Sequence, residues 1–164
     1  MTVQTKTKLK RYAVYGVIIL LAHIFQNILT IFPEIASVRP VLLISVALCI
    51  AMFEGEVVGA VAGLLSGALW DTFTVTADGY NALYLMVACA VCGVLLRIFM
   101  RNNIITYIMM NTGFTTLYFL SYVLFFITAR GIDGGAEMLL RYYLPMGIYS
   151  LVLTPFWYVI ICAL

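Results

Sequence analysis

His23, Gln26, Asn27 and Thr30 stand at i, i+3, i+4 and i+7. On a helix this spacing gathers an imidazole, two carboxamides and a hydroxyl within about 100° of arc. Such a stripe could relay a proton or line a ligand pocket. Its commoner use is hydrogen bonding between helices. Asn111, Thr115, Tyr118 and Tyr122 form a second stripe, within about 60°. If the two stripes face each other they make one polar seam, and a void in that seam would be a small-molecule pocket.

Asp71, next to Trp70, closes an apolar run. An ionised acid near the middle of a membrane costs at least ~2.5–3.5 kcal/mol, and less towards the interface. There it could hold a cation, accept a proton, or bond amides of the segment up to Asn81. Cys89 and Cys92 make a C-x-x-C, but no histidine, lysine or acid lies near in sequence to stabilise a thiolate. They read as small apolar side chains, and Cys49 and Cys162 also fall in apolar runs. His23 is the only histidine, a poor start for a metal site. There is no nucleophile–base set, phosphate loop or pair of deep carboxylates. The expectation is a chain that is not an enzyme and holds no metal or cofactor.

Gly55, Gly59, Gly63 and Gly67 recur at every fourth residue and lead to Asp71. Small residues let another backbone come close, which matters where water is absent and burial cannot drive association. The row drifts by about 40° per step, so it forms a slanted ridge. It suits either a partner helix, a second copy of the chain, or a crossing within the same bundle.

The elements that must carry these residues follow from composition. Of the 164 residues, 65% are hydrophobic and 10% charged. The mean hydropathy is +1.10. A soluble domain has roughly 25% charged residues, so the chain reads as an all-α, polytopic membrane helical bundle. It forms one transmembrane domain with no room for a soluble catalytic module. Six spans are expected, at about 12–32, 38–53, 57–73, 81–99, 104–128 and 144–164. The second is short for a ~30 Å hydrocarbon core. It must thin the bilayer or pack against longer neighbours, with Pro40 in its first turn. Glu54-Gly55-Glu56 reads as a tight polar turn, Asp78-Gly79 as a loop, and Gly134-Gly135 as a break before a helical turn or two carrying Glu137 and Arg141. Pro155 is expected to kink the last span. Lys6, Lys8, Lys10, Arg11, Arg97 and Arg101 would lie inside, against Arg39, Arg130 and Arg141 outside. That places both termini in the cytoplasm. A net charge of +2 is too small to imply nucleic-acid binding.

The stretch from Arg39-Pro40 to Asn81-Ala82-Leu83 holds a short span, then F-E-G-E-V-V-G-A-V-A-G-L-L-S-G-A-L-W-D, a loop, and G-Y-N-A-L. It resembles the MreD family of bacterial rod shape-determining membrane proteins. The resemblance rests on Gly59, Gly63, Gly67, Asp71 and Gly79, with Asn81 just beyond. It implies a non-catalytic scaffold of the cell-wall elongation complex in the bacterial cytoplasmic membrane. The implied partners are MreC and, through it, the peptidoglycan glycosyltransferase and transpeptidase, besides membrane lipid and a possible homo-oligomer. It also implies a fold similar to the substrate-binding subunits of energy-coupling-factor transporters. The alternative function is therefore a substrate-binding membrane subunit for a vitamin or micronutrient. In that case His23, Gln26, Asn27 and Asn111 would line the pocket.

Overall fold

The computed structural model describes residues 3–27, 40–73, 79–99, 102–128 and 139–163. Among them there is no strand. Six α-helices follow in order: α1 (Val3–Asn27), α2 (Leu42–Glu54), α3 (Glu56–Asp71), α4 (Tyr80–Ile98), α5 (Ile104–Tyr122) and α6 (Leu144–Cys162). Two π-helical stretches adjoin them. Val123–Thr128 prolongs α5, and Leu139–Tyr143 leads into α6. Thr30, Arg39, Asp78, Gly134, Gly135 and Glu137 of the sequence reading lie outside the described residues.

Among the described residues four stretches are long and apolar enough to cross a membrane: Lys8–Asn27, Tyr80–Ile98, Ile104–Ile127 and Arg141–Cys162. By length and composition the chain is a membrane protein. α2, with 13 residues, and α3, with 16, fall short of the ~20 residues a span takes.

α2 is the centre of the fold. It touches each of the other five helices, and every residue from Leu42 to Met52 is at most 6% exposed. Of the two expectations for this short segment, packing among longer neighbours is the one observed. A helix that is apolar all round can bury every face, and LLISVALCIAMFE has no polar side to offer solvent except Ser45 and its last residue. α1, α3, α4, α5 and α6 pack around it.

Several boundaries differ from expectation. α1 begins nine residues before Tyr12, inside the basic segment. Lysine and arginine are good helix formers, and nothing there breaks the helix. Pro40 lies ahead of α2, not in its first turn: the helix starts at Leu42, after an extended Val41. The Val41 amide is bonded to another helix and so needs no place within α2. Residues 139–143 are π-helical, and α6 continues through Pro155 to Cys162. Gly55 makes the corner between α2 and α3 with φ +87°, a conformation that glycine adopts without steric cost.

Candidate functional site

The glycine row packs inward. A Cβ on Gly59 would stand 2.5 Å from the Ala51 Cβ of α2. On Gly63 it would collide with the Leu85 carbonyl of α4, and on Gly67 with the backbone of Asn81 and Ala82. α4 answers with Gly93, whose Cβ would be 2.6 Å from the Glu56 backbone. The two helices run antiparallel in step. Gly67, Gly63 and Glu56 face Ala82, Leu85 and Gly93. Of the alternatives for the ridge, the crossing within the bundle is therefore the one present. As packed, Gly59, Gly63 and Gly67 are buried and unavailable to a partner helix. Gly55 takes part through its backbone alone: its carbonyl carbon lies 2.8 Å from the Gly93 Cβ position, while a Cβ on Gly55 itself meets nothing within 4 Å. Gly93 went unnoticed in the sequence. Its signal was the row Asn81, Leu85, Cys89, Gly93 at four-residue spacing. Cys89 lines the same crossing, 3.0 Å from the Gly63 Cβ position, in keeping with a small packing side chain.

Asp71 ends this crossing by capping α4. Its carboxylate accepts the amides of Asn81 (3.3 Å) and Ala82 (3.0 Å). Gly79, at φ +77°, turns the chain into α4. These amides are among the four that a helix N-terminus leaves unpaired, and a negative charge suits that end of the helix dipole. The amide-bonding expectation for Asp71 thus holds, with partners in α4 itself. The Asn81 side chain is fully buried, and its Oδ1 accepts the Tyr118 hydroxyl at 2.6 Å. Tyr118 sits among Trp70, Tyr80, Tyr84, Phe119 and Tyr122, with ring centroids 5.2–6.1 Å away. Asp71→Ala is expected to cost about 2 kcal/mol through loss of the cap. Asp71→Asn, which keeps one acceptor, should recover part of it. Unfolding of the purified variants in micelles measures both.

The two polar stripes do not face each other across a void. One described member of each, Gln26 and Asn111, bonds α2. Gln26 Oε1 accepts the amides of Leu42 (2.9 Å) and Leu43 (3.1 Å), and Ser150 Oγ accepts that of Val41 (2.7 Å). Three amides at the buried start of α2 are thereby satisfied by α1 and α6. One turn on, Asn111 Nδ2 donates to Ser45 Oγ (3.1 Å) and Thr154 Oγ1 (2.7 Å), and the Tyr107 hydroxyl donates to the Ser45 carbonyl (2.7 Å). Asn111 and Thr115 are buried. Among the described residues Asn111 Oδ1 and Thr115 Oγ1 have no hydrogen-bond partner, nor do Ser66 Oγ and Trp157 Nε1. His23 is buried beside Phe73, and its Nδ1 lies 3.1 Å from Asn27 Nδ2. That contact makes Nδ1 the acceptor of the Asn27 amide. Ser45, Ser150, Thr154 and Tyr107 were not singled out in the sequence; Tyr107 continues the Asn111–Thr115 row at four-residue spacing and Ser150 and Thr154 stand at i and i+4, a signal that could have found them, and only Ser45 is isolated.

At the opposite end of α2, Glu54 accepts the Tyr15 hydroxyl (2.9 Å) and pairs with Arg11 (3.0 Å). Across the Gly55 corner Glu56 pairs with Arg97 of α4 (2.6 Å). The Glu56 carboxyl is held below the usual carboxylate range, first by its own backbone amide and then by Arg97. This pair is open to solvent, which screens it, and it adds little to stability. Among the described residues no group of three or more histidines, cysteines and carboxylates converges as a metal site.

No family model, curated protein or solved structure matches this chain.

Proposed function

We propose that the chain is a non-catalytic membrane scaffold of the kind its resemblance to the MreD family implies. In this reading six helices cross the bacterial cytoplasmic membrane with both termini inside, and the chain binds MreC and, through it, peptidoglycan synthases. What supports the scaffold over the vitamin-binding alternative is the use made of the polar residues. Gln26 and Asn111, which a solute pocket would need, are engaged with α2, and the middle of the bundle is filled by that apolar helix. The residues behind the resemblance serve a single feature as well. Gly59, Gly63, Gly67 and Asp71 all set how α3 meets its neighbours. The surfaces left for partners are then the outer faces of the long helices.

A pull-down of tagged protein from its native membrane in mild detergent, with partners identified by mass spectrometry, tests this reading. Recovery of MreC with wall synthases is expected. Recovery of transporter ATPases and a coupling subunit would replace the scaffold with a substrate-binding component.

A further inference from the structure

α1 and α3 both lean on α2 but meet each other less closely than α3 meets α4. Between them lies a groove of about 270 Å³. Tyr12, Gly16 and Ile19 of α1 form one wall, Val58, Val61 and Leu65 of α3 the other, and Ile50 of α2 the floor. The lining is almost wholly apolar, and Gly16 leaves part of it open: a Cβ there would meet nothing within 4 Å.

Lys8, Tyr12, Tyr15 and Ile19 stand at i, i+4, i+7 and i+11 on one continuous helix, so Lys8 lies on the same face as the groove, one turn beyond its end. Lys8 is exposed and makes no ion pair among the described residues. Of the other cations described at this end, Arg11 is matched by Glu54 and Arg97 by Glu56, and the exposed Lys10, two residues from Lys8, points away from the groove face. From Lys8 to Ile19 is roughly 16 Å along the helix, close to the ~15 Å depth of one leaflet's hydrocarbon. A cation at headgroup level above an apolar slot one leaflet deep matches a single chemistry.

We propose that this groove binds an anionic phospholipid of the surrounding leaflet, with an acyl chain between α1 and α3 and its phosphate at Lys8. The site stands on the membrane reading of the long helices and is independent of the protein partners proposed above. An exposed lysine at a membrane surface favours anionic lipid enough to change affinity about five-fold.

The test uses the full chain purified in mild detergent with added phosphatidylglycerol or phosphatidylcholine, followed by native mass spectrometry and thermal unfolding. The wild-type protein should retain one phosphatidylglycerol in preference to phosphatidylcholine and be stabilised by it. Lys8→Gln should reduce that preference about five-fold. Gly16→Phe has room for its side chain and replaces a helix-interior glycine, so it should fold as well as wild type. It should nevertheless lose the retained lipid. Equal retention of the two lipids by wild type, or undiminished retention by a folded Gly16→Phe, would overturn the proposal. So would a photo-crosslinker at Val61 that captures a protein helix in place of lipid.

Discussion

Gly63→Leu should leave almost no folded protein in the membrane. The first atom added, Cβ, would fall on the carbonyl of Leu85, and the rest of the side chain would have to displace α4 as a whole. Overpacking among movable side chains costs roughly 1–3 kcal/mol. Here the obstacle is backbone held by its own helix, so a loss above ~3 kcal/mol is expected, a large part of a domain's usual 5–15 kcal/mol. α3 and α4 share the most extensive contact in the bundle, and Asp71 caps α4 only while the two stay in register. Gly113→Leu is the matched control. It is also a glycine inside a helix, but a Cβ there meets nothing within 4 Å. It should be neutral or slightly stabilising, by up to ~1 kcal/mol from helix propensity. Yield of folded protein and the unfolding midpoint in micelles check both. If Gly63→Leu unfolds at the same midpoint as wild type, the α3–α4 crossing is not as close as described.

Gln26→Met should loosen the central helix. Methionine nearly keeps the volume and loses the acceptor, so the amides of Leu42 and Leu43 become unpaired in a buried site. Each buried group left without a partner costs about 1–3 kcal/mol, giving about 2–6 kcal/mol in all. The start of α2 then retains only the Val41–Ser150 bond from outside the helix among those described. Cys49 provides a local readout, since it is fully buried near the middle of α2. In Gln26→Met it should react faster with a membrane-permeant maleimide, while the already exposed Cys162 reacts as before. An unchanged Cys49 rate together with an unchanged midpoint would show that Gln26 does not anchor α2.

These two positions also mark what could be read along the chain. The stripe containing His23 and Gln26 is too polar to face lipid cheaply, and both side chains are indeed buried. The four-residue glycine row required a backbone at close range, and one is there. Asp71 could be expected to bond amides near Asn81, since its place beside a turn offered little else at low cost. What was missing in each case was the partner. Nothing local tells Gln26 that its acceptor serves Leu42, or tells Asn111 that its donors reach Ser45 and Thr154, 66 and 43 residues away.

By itself the sequence determined the elements. Apolar runs of helical length fix which segments are helical, and the glycine corner at Gly55 and the turn before Tyr80 fix where α3 and α4 begin, because those rules act between near neighbours. Only the tertiary structure decided that α2 is the core and that α2 and α4, not a partner, fill the glycine ridge. The reason is the solvent. In water an apolar face announces burial, but beside hydrocarbon the lipid-facing and protein-facing surfaces are both apolar. Val61, at 52% exposure, and Val46, at 0%, therefore look alike in the chain and are separated only by packing.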